Sequence, residues 1–384
     1  MDLELDENQR SIADLALQIL RESLTRERLR TIEASDDHVA RDEWQKLATA
    51  GLLGVPLPED VGGGGFGLVE ACLVLEQVGR TVAPLPYLHS IVGSAMTIDA
   101  FGSADQRRQL LPRIADGSLI VVPALGERLD ELATSLPATT ATRDGAGWKL
   151  DGAKSLVPMA HVADRLLVSA RTGTDACGVF LVDPRAAGVT LDLTETTARE
   201  LRANVRFGGV RVAADDVIGD PHGGMDVVAD TVRRLTAGLC STQAGICAEA
   251  VRLTAAHVSE REQFGQKIAT FQAVAQRAAD AFIDTEAITL TSRQAAWLLA
   301  NGRAGADEAL DSAKFWASEG GFRVAHAAQH LHGGIGVDQE YPLFRYFRMT
   351  RQTELTLGGA ALHLKQLGDR IADGAPARQA RAHA

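Results

Sequence analysis

The stretch Ser259–Gln272, SEREQFGQKIATFQ, decides the fold of this 384-residue chain, because it separates two long helical patterns by a short turn at Phe264–Gly265. The helical periods cover Val227–Glu260 before it and Ile268–Asn301 after it. A helix of about 34 residues is roughly 50 Å long, which exceeds what one domain core requires. We therefore expect these helices to pack into a bundle and against other subunits.

Three side chains at this corner suit a phosphate-bearing ligand. Arg261 offers a guanidinium for bidentate contact with a pyrophosphate, and Phe264 places an aromatic ring beside it. Gln272 adds an amide at the start of the next helix, where backbone N–H groups favour an anion. The alternative for an isolated motif of this kind is an ordinary helix–helix corner with a surface arginine.

A second informative segment, Gln329–Arg345, reads QHLHGGIGVDQEYPLFR. A helix is expected to end at His332–Gly334, and Gly336 allows a backbone to approach a ligand closely. A plain glycine cap would account for one of these glycines but not for all three. We predict no metal site here, because no cysteine or carboxylate completes a ligand set with the nearby histidines.

Outside these motifs, the chain changes its hydrophobic period twice. Helical patterns fill the N-terminal part, interrupted by the glycine-rich loop Leu57–Gly67, LPEDVGGGGFG. Short β-branched runs separated by turn residues follow, without intervening helices, and favour an antiparallel sheet. Long helices then return. The predicted division is residues 1–119 (α-helical), 120–222 (β), 223–373 (helical bundle) and 374–384 (a flexible tail).

Composition excludes several classes of protein. The formal charge is −11, which argues against a nucleic-acid binder. No apolar run is long enough to span a membrane, and the N-terminus does not resemble a signal peptide. The four cysteines lack metal-ligand or disulfide spacing and indicate reduced thiols. We therefore expect a cytoplasmic protein.

The chain resembles the acyl-CoA dehydrogenase family over nearly its full length. The REQFG…FQ corner, the HGGIG…YPLFR segment, the LPEDVGGGGFG loop and the VRVAADDVIGD stretch carry the resemblance. It implies an α+β multidomain fold: an N-terminal α-helical domain, a middle antiparallel β domain and a C-terminal four-helix bundle. It further implies a tetramer, FAD bound between subunits, and oxidation of a CoA thioester to its α,β-enoyl form.

The resemblance also implies a set of cofactor contacts. The matching positions hold the pyrophosphate and adenosine of the FAD that belongs to the neighbouring subunit. These positions are Arg261, Gln263, Phe264, Gln272, His330, Gly333 and Gly334.

Other family positions are changed, beginning with those around the flavin ring. The family's T-E-P-x-x-G-S-D loop corresponds to Pro123–Ala133, PALGERLDELA. In the next strand, Leu156 replaces an aromatic residue that stacks on flavin. Pro158 replaces a threonine and has no backbone N–H to donate.

The catalytic base is also missing at both positions where the family places a glutamate. Leu357 occupies the position before Gly358, and Leu235 occupies the alternative position 26 residues before Arg261. A leucine cannot accept a proton, and a general base is worth roughly 10²–10⁴-fold in rate. Glu354, one helical turn before Leu357, is a weak candidate for a substitute base; the alternative is a solvated or ion-paired carboxylate.

Residues that reach a neighbour's FAD are thus kept, whereas residues for the chain's own flavin ring and base are replaced. This pattern resembles the non-catalytic, β-type subunit of heterotetrameric α2β2 acyl-CoA dehydrogenases of steroid side-chain degradation. The resemblance implies an α-type partner subunit that acts on an acyl-CoA, with this chain alone inactive. Two alternatives stay open: a self-sufficient homotetrameric dehydrogenase using a base such as Glu354, and a scaffold or binding protein without flavin.

Overall fold

A computed structural model describes residues 3–374 of the chain, except Leu129, Glu131 and Thr134. The predicted tail, residues 374–384, lies outside the described part from residue 375 onward. The α-helices of the described part are α1 Glu7–Ser23, α2 Arg26–Glu33, α3 Arg41–Thr49, α4 Leu68–Thr81, α5 Met96–Phe101, α6 Ala104–Ala115, α7 Gly224–Glu260, α8 Gln272–Ala300, α9 Ala306–Phe315, α10 Gly321–His332, α11 Leu343–Leu355 and α12 Ala360–Gly374. Its strands are β1 Val121–Ala124, β2 Thr140–Asp144, β3 Gly147–Pro158, β4 Arg165–Arg171, β5 Cys177–Val182, β6 Val189–Glu195, β7 Leu201–Val212, β8 Val217–Ile218, β9 Glu262–Gln263 and β10 Gln266–Lys267.

The order of these elements confirms the predicted fold class: helices, then a sheet, then helices. The first helix begins at a capping box, in which Asp6 accepts from the backbone N–H of Gln9 and the Gln9 side chain accepts from Asp6. The predicted glycine-rich loop is present after α3, with one 3₁₀ turn at Glu59–Val61. A π-helical segment, Leu88–Ala95, leads into α5 and has no clear signal in the sequence.

Helices α4 and α7 cross with their backbones in contact, because glycines lie at the crossing. A Cβ atom on Gly245 would lie 1.8 Å from the carbonyl oxygen of Glu76, and one on Gly79 would lie 2.0 Å from that of Thr242. No side chain fits between the two backbones at these points. The crossing therefore fixes the N-terminal helices against the longest helix of the C-terminal bundle.

The middle sheet runs in the order β6-β7-β3-β2-β4-β5-β8, with β1 added beside β4. Most pairings are antiparallel, as predicted, but β1 runs parallel to β4, and β2 meets β4 in one parallel bridge. The sheet is therefore mixed. The parallel pairing is possible because the β2–β3 hairpin forms a crossover between β1 and β4. Two register shifts in the β3–β7 pair bend the end of β3.

The C-terminal helices pack around α7, which is 37 residues long. Helices α8, α10 and α11 all contact it. The predicted single helix over Ala306–Leu331 is one continuous run, in which the π-helical segment Trp316–Gly320 joins α9 to α10. Across the described residues, no helix has the length and apolar character needed to cross a bilayer.

The crossing of α4 and α7 predicts a strong effect for Gly245→Ala. The new methyl group would meet backbone rather than a flexible side chain, so the helices must separate. We expect a loss of about 3 kcal/mol in the free energy of unfolding, measured by urea denaturation. The matched control is Gly368→Ala on α12, where a Cβ meets nothing within 4 Å.

The control should gain about 0.5–1 kcal/mol, because alanine favours a helix more than glycine does. Equal stability of Gly245→Ala and the native chain would contradict the close crossing.

Candidate functional site: an open corner and a closed pocket

The corner after α7 is a small hairpin with a strained turn. Strands β9 and β10 pair antiparallel, and the two turn residues between them, Phe264 and Gly265, have φ of +56° and +78°. Two positive φ values identify a type I′ turn, which disfavours a residue as large as phenylalanine. Phe264 occupies the first turn position all the same, and it is 91% exposed to solvent. The turn thus leaves most of this ring accessible, although its centre lies 6.2 Å from that of the Phe271 ring in an edge-to-face arrangement.

The two sequence motifs meet through a stack of aromatic rings. The imidazoles of His257, one turn before Arg261, and His332 lie 4.5 Å apart and almost parallel. His332 is fixed by Ala328 O at 2.8 Å from its Nδ1 and by the Tyr341 hydroxyl at 3.1 Å from its Nε2. Burial lowers the pKa of both imidazoles, so the stack is neutral at pH 7.

All the predicted cofactor-binding residues lie on the surface of the chain around this stack. The exposed residues are Arg261, Gln263, Phe264, Gln272, His330, Gly333 and Gly334.

Two properties of these residues leave room for another molecule at the surface. The guanidinium of Arg261 has no hydrogen bond or ion pair with any residue that the structure describes. Gly333 has φ +64° and ψ −142°, a backbone conformation that essentially only glycine adopts. A Cβ atom on Gly333 or on Gly334 would meet nothing within 4 Å. The backbone there is free for close approach.

Leu235, at one family position of the base, is packed in an apolar contact between three elements. The side chains of Leu235 and Pro123 both come to 2.8 Å from where a Cβ on Gly93 would lie. Leu235 itself is buried. The contact joins α7, β1 and the π-helical segment and leaves no ionisable group at this position.

Leu357, at the other family position, lies in a turn held by a buried ion-pair network. Leu357 has φ +56°, and its carbonyl oxygen lies 2.8 Å from Nε2 of His363. Nδ1 of His363 lies 2.8 Å from Oδ1 of Asp311, whose Oδ2 accepts from Nε of Arg370 at 2.8 Å. Because a carbonyl oxygen only accepts hydrogen bonds, Nε2 of His363 is the donor to Leu357. The network fixes an aliphatic residue where the family has an acid.

The structure corrects the expectation that Glu354 shares a helix face with Leu357, because α11 ends at Leu355. The Glu354 carboxylate pairs with Arg351, whose guanidinium lies 4.9 Å from the ring centre of Phe322. Burial raises the pKa of Glu354, while Arg351 opposes the shift. The backbone carbonyl of Glu354 accepts from the fully buried Lys314 ammonium at 3.0 Å.

The loop that replaces the family's flavin-binding loop is closed by a buried ion pair. Nζ of Lys154 lies 2.8 Å from Oε1 of Glu127 and 2.9 Å from Oγ of Ser169. The Glu127 carboxylate also accepts from the backbone N–H groups of Ala138 and Thr139. Despite the cost of burial, the Lys154 charge keeps the pKa of Glu127 below its usual value. The Glu127 carboxylate of this loop is thus committed to partners within the chain.

Leu156 and Pro158 stand at the bent end of β3. Leu156 has φ +50° and is 42% exposed, and Pro158 pairs in register with Arg202 of β7. The structure therefore supplies neither an aromatic ring nor a hydroxyl at these two positions.

The stacking of His257 on His332 and the His363 network could not be found from the sequence, because each joins residues far apart in the chain.

Known proteins resemble the chain over almost its whole length. Family models described as acyl-CoA dehydrogenase N-terminal domain and C-terminal domain match residues 6–118 and 222–372. Acyl-CoA dehydrogenase FadE27 of Mycobacterium tuberculosis is 34% identical over 97% of this chain and 99% of its own length.

Two solved structures are similar in sequence as well as in fold. A Tcur3481–Tcur3483 steroid ACAD variant has 41% identity and a TM-score of 0.88, covering 96% of this chain and 98% of that chain. The ChsE4–ChsE5 complex from Mycobacterium tuberculosis has 34% identity and a TM-score of 0.90, covering 98% and 100%. With its motifs, its fold and these relatives in agreement, the chain belongs to the acyl-CoA dehydrogenase family.

Proposed function

We propose that this chain is the non-catalytic subunit of a heteromeric, FAD-dependent acyl-CoA dehydrogenase. It contributes the pyrophosphate- and adenosine-binding corner to FAD held by a partner subunit, and the partner supplies the ring pocket and the base. One observation carries the proposal: the corner is exposed and its Arg261 guanidinium has no partner among the described residues, whereas both base positions are leucines held by contacts within the chain.

The corner fits a pyrophosphate. Arg261 provides a charged, bidentate donor, and α8 begins at Gln272, where its first N–H groups favour an anion. Gly333 and Gly334 leave open space in which phosphate oxygens can approach the backbone. Bound FAD would supply hydride acceptance; the role of this chain is to bind and orient its nucleotide end.

The chain's own ring positions do not fit an oxidising flavin site. Leu235 and Pro123 fill the space over Gly93, and the Glu127 carboxylate of the replaced loop is paired with the buried Lys154. Without an acid at position 235 or 357, no residue there can remove the α-proton of a thioester. We therefore assign no chemical step to this chain.

Resemblance to the relatives supports the finer parts of the proposal. Both similar structures bear two protein names, and one is named a steroid ACAD, which favours an α2β2 assembly acting on a steroid side-chain CoA thioester. All four cysteines of the chain are buried and unpaired, which favours the reducing cytoplasm as its location.

Flavin stoichiometry tests the proposal directly. Expressed alone, the chain should carry almost no FAD and show no acyl-CoA dehydrogenase activity. Co-expressed and purified with its partner subunit, it should give about one FAD per pair of chains, measured by absorbance after denaturation. One FAD per chain in the protein alone would overturn the proposal.

Arg261→Ala should lower FAD retention by the purified complex, because the substitution removes a charge-assisted contact with the pyrophosphate. We expect the dissociation constant of FAD to rise about tenfold or more, measured by flavin fluorescence on dilution. The matched control is Arg211→Ala, an exposed arginine on β7 paired with Asp144, which should leave retention unchanged. Unchanged retention in Arg261→Ala would instead favour a scaffold without a flavin role.

A self-sufficient enzyme that uses Glu354 is the second candidate, favoured by the raised pKa of this carboxyl. Glu354→Gln should leave kcat of the complex within about twofold of the native value, because the Glu354 carboxylate is paired with Arg351 and is not free to act as a base. A general base at this position would make the loss about 100-fold or more. A loss of that size, together with turnover by the chain alone, would establish the alternative.

A further inference from the structure

The stack of two histidines beside the cofactor corner joins the two halves of that corner. His257 lies on α7, and its carbonyl oxygen accepts from the backbone N–H of Arg261 at 2.9 Å. His332 is the last residue of α10 and directly precedes the glycine turn Gly333–Gly334. The two imidazole centres lie 4.5 Å apart, with 20° between the ring planes. The stack therefore couples the position of the arginine to that of the glycine turn.

Hydrogen bonds identify His332 as the neutral member of the stack. The carbonyl oxygen of Ala328 can only accept, so Nδ1 of His332 carries a proton and donates it across 2.8 Å. Burial lowers the pKa of this imidazole and raises the pKa of the Tyr341 hydroxyl. The hydroxyl therefore keeps its proton and donates to Nε2 of His332 at 3.1 Å. Both ring nitrogens are satisfied without a charge.

His257 is the member of the stack that can change its charge. Its imidazole is half-buried, and its ring nitrogens have no hydrogen-bond partner within the described part of the chain. It lies in the last turn of α7, where the free carbonyl groups of the helix end favour a cation. Because the ring that it stacks on is neutral, that ring does not repel a proton on His257.

Two opposite charges at the end of α7 act on His257. Burial and the guanidinium of Arg261 lower the pKa of the imidazole, whereas the carboxylate of Glu260 raises it. The lowering effects are the larger, so the imidazole is neutral at pH 7. The positive charge of Arg261 is thus one of the two causes that keep a proton off His257.

The groups that face His257 from other elements do not supply a competing charge. His332 of α10 and Tyr341, which precedes α11, are both neutral and contact the ring of His257. Two further cations lie nearby, Arg252 on α7 and Lys267 on the hairpin, and each is paired with a glutamate. Arg261 has no such partner among the described residues, so its charge acts on His257 without compensation.

A pyrophosphate at Arg261 reverses this balance. In the free chain, a proton on His257 lies close to an unpaired guanidinium, and like charges repel each other. An anion that binds Arg261 neutralises this guanidinium and attracts a second cation. The pKa of His257 therefore rises when the anion binds, because an opposite charge favours the charged form of an imidazole.

Proton uptake of this kind makes the affinity of the corner depend on pH. Since the bound state holds more protons than the free state, affinity increases as the pH falls through the pKa of His257. The effect is absent well above the ordinary imidazole value of 6.5, where His257 is neutral in both states. A rise of one in the pKa on binding corresponds to a tenfold gain in affinity at low pH.

We propose that His257 is a proton-linked positioning residue of the cofactor corner. When a pyrophosphate neutralises Arg261, the imidazole takes up a proton from solvent, keeps its stack on His332 and adds a second positive charge on this side of the corner. The inference rests on the function proposed above and adds regulation to it. The chain holds the partner's FAD more firmly at acidic pH, although it has no base for the chemistry.

The dissociation constant of FAD from the purified heteromeric complex tests this linkage, measured by flavin fluorescence on dilution at pH 5.5 and at pH 8. The phosphates of FAD keep the same charge over this range. We expect the native complex to bind FAD about threefold or more tightly at pH 5.5. His257→Phe keeps an aromatic ring on His332 but cannot take up a proton. Its affinity should be the same at both pH values and within about twofold of the native value at pH 8.

The matched control is His222→Phe, which also replaces a histidine packed against an aromatic ring. The ring of His222 lies 6.0 Å from that of Trp148, just before the start of α7. The cofactor corner lies at the other end of this helix, about 50 Å away by the helix rise. The control should keep the native ratio of the two dissociation constants.

Calorimetry gives a second measurement that does not depend on the folding of a variant. Binding of FAD to the native complex at pH 6, in two buffers of different ionisation enthalpy, should show net proton uptake. Equal native affinity at both pH values, absence of proton uptake, or a native pH ratio in His257→Phe would each overturn the linkage. Any of these results in a complex that binds FAD leaves the proposed function intact, whereas a complex that binds no FAD removes both.

Discussion

The contact between the backbones of α4 and α7 at Gly79 and Gly245 is the constraint on which the other features depend. It leaves no room for a side chain, so it fixes the position of α7 along its length. The same helix presents Leu235 to Gly93 and places Arg261 directly after its last residue. One long helix thus sets the position of the apolar contact at Leu235 relative to the exposed corner at Arg261.

Local patterns in the sequence predict much of this architecture. The 3.6-residue period gives α1, α7 and α8 nearly to their ends, because each helix has one apolar face and recognisable stop signals. The turn between α7 and α8 was also predictable, since Arg261, Phe264 and Gln272 are close in sequence; that these residues bind a cofactor stays a prediction. The parallel β1–β4 pairing was not, because it depends on a crossover rather than on local residue preference.

Buried polar residues explain what sequence reasoning missed at the site. Lys314 and His363 look like ordinary charged helix residues in the sequence. In the fold, Lys314 donates to the carbonyl groups at the end of α11, and His363 to that of Leu357. The turn that contains Leu357 is therefore held in place by side chains from other parts of the bundle. Such support joins residues 6 to 52 positions apart, which no local motif encodes.

An unassembled copy of this chain presents to water an unusual set of large apolar side chains, beginning with the ring of Phe264. Three others lie on α8, namely Phe282, Ile283 and Leu290, and two lie on α12, namely Leu364 and Ile371. Exposed apolar surface of this extent promotes aggregation and degradation of orphan chains. As the subunit proposed above, the chain would therefore require synthesis in step with the partner that covers those side chains.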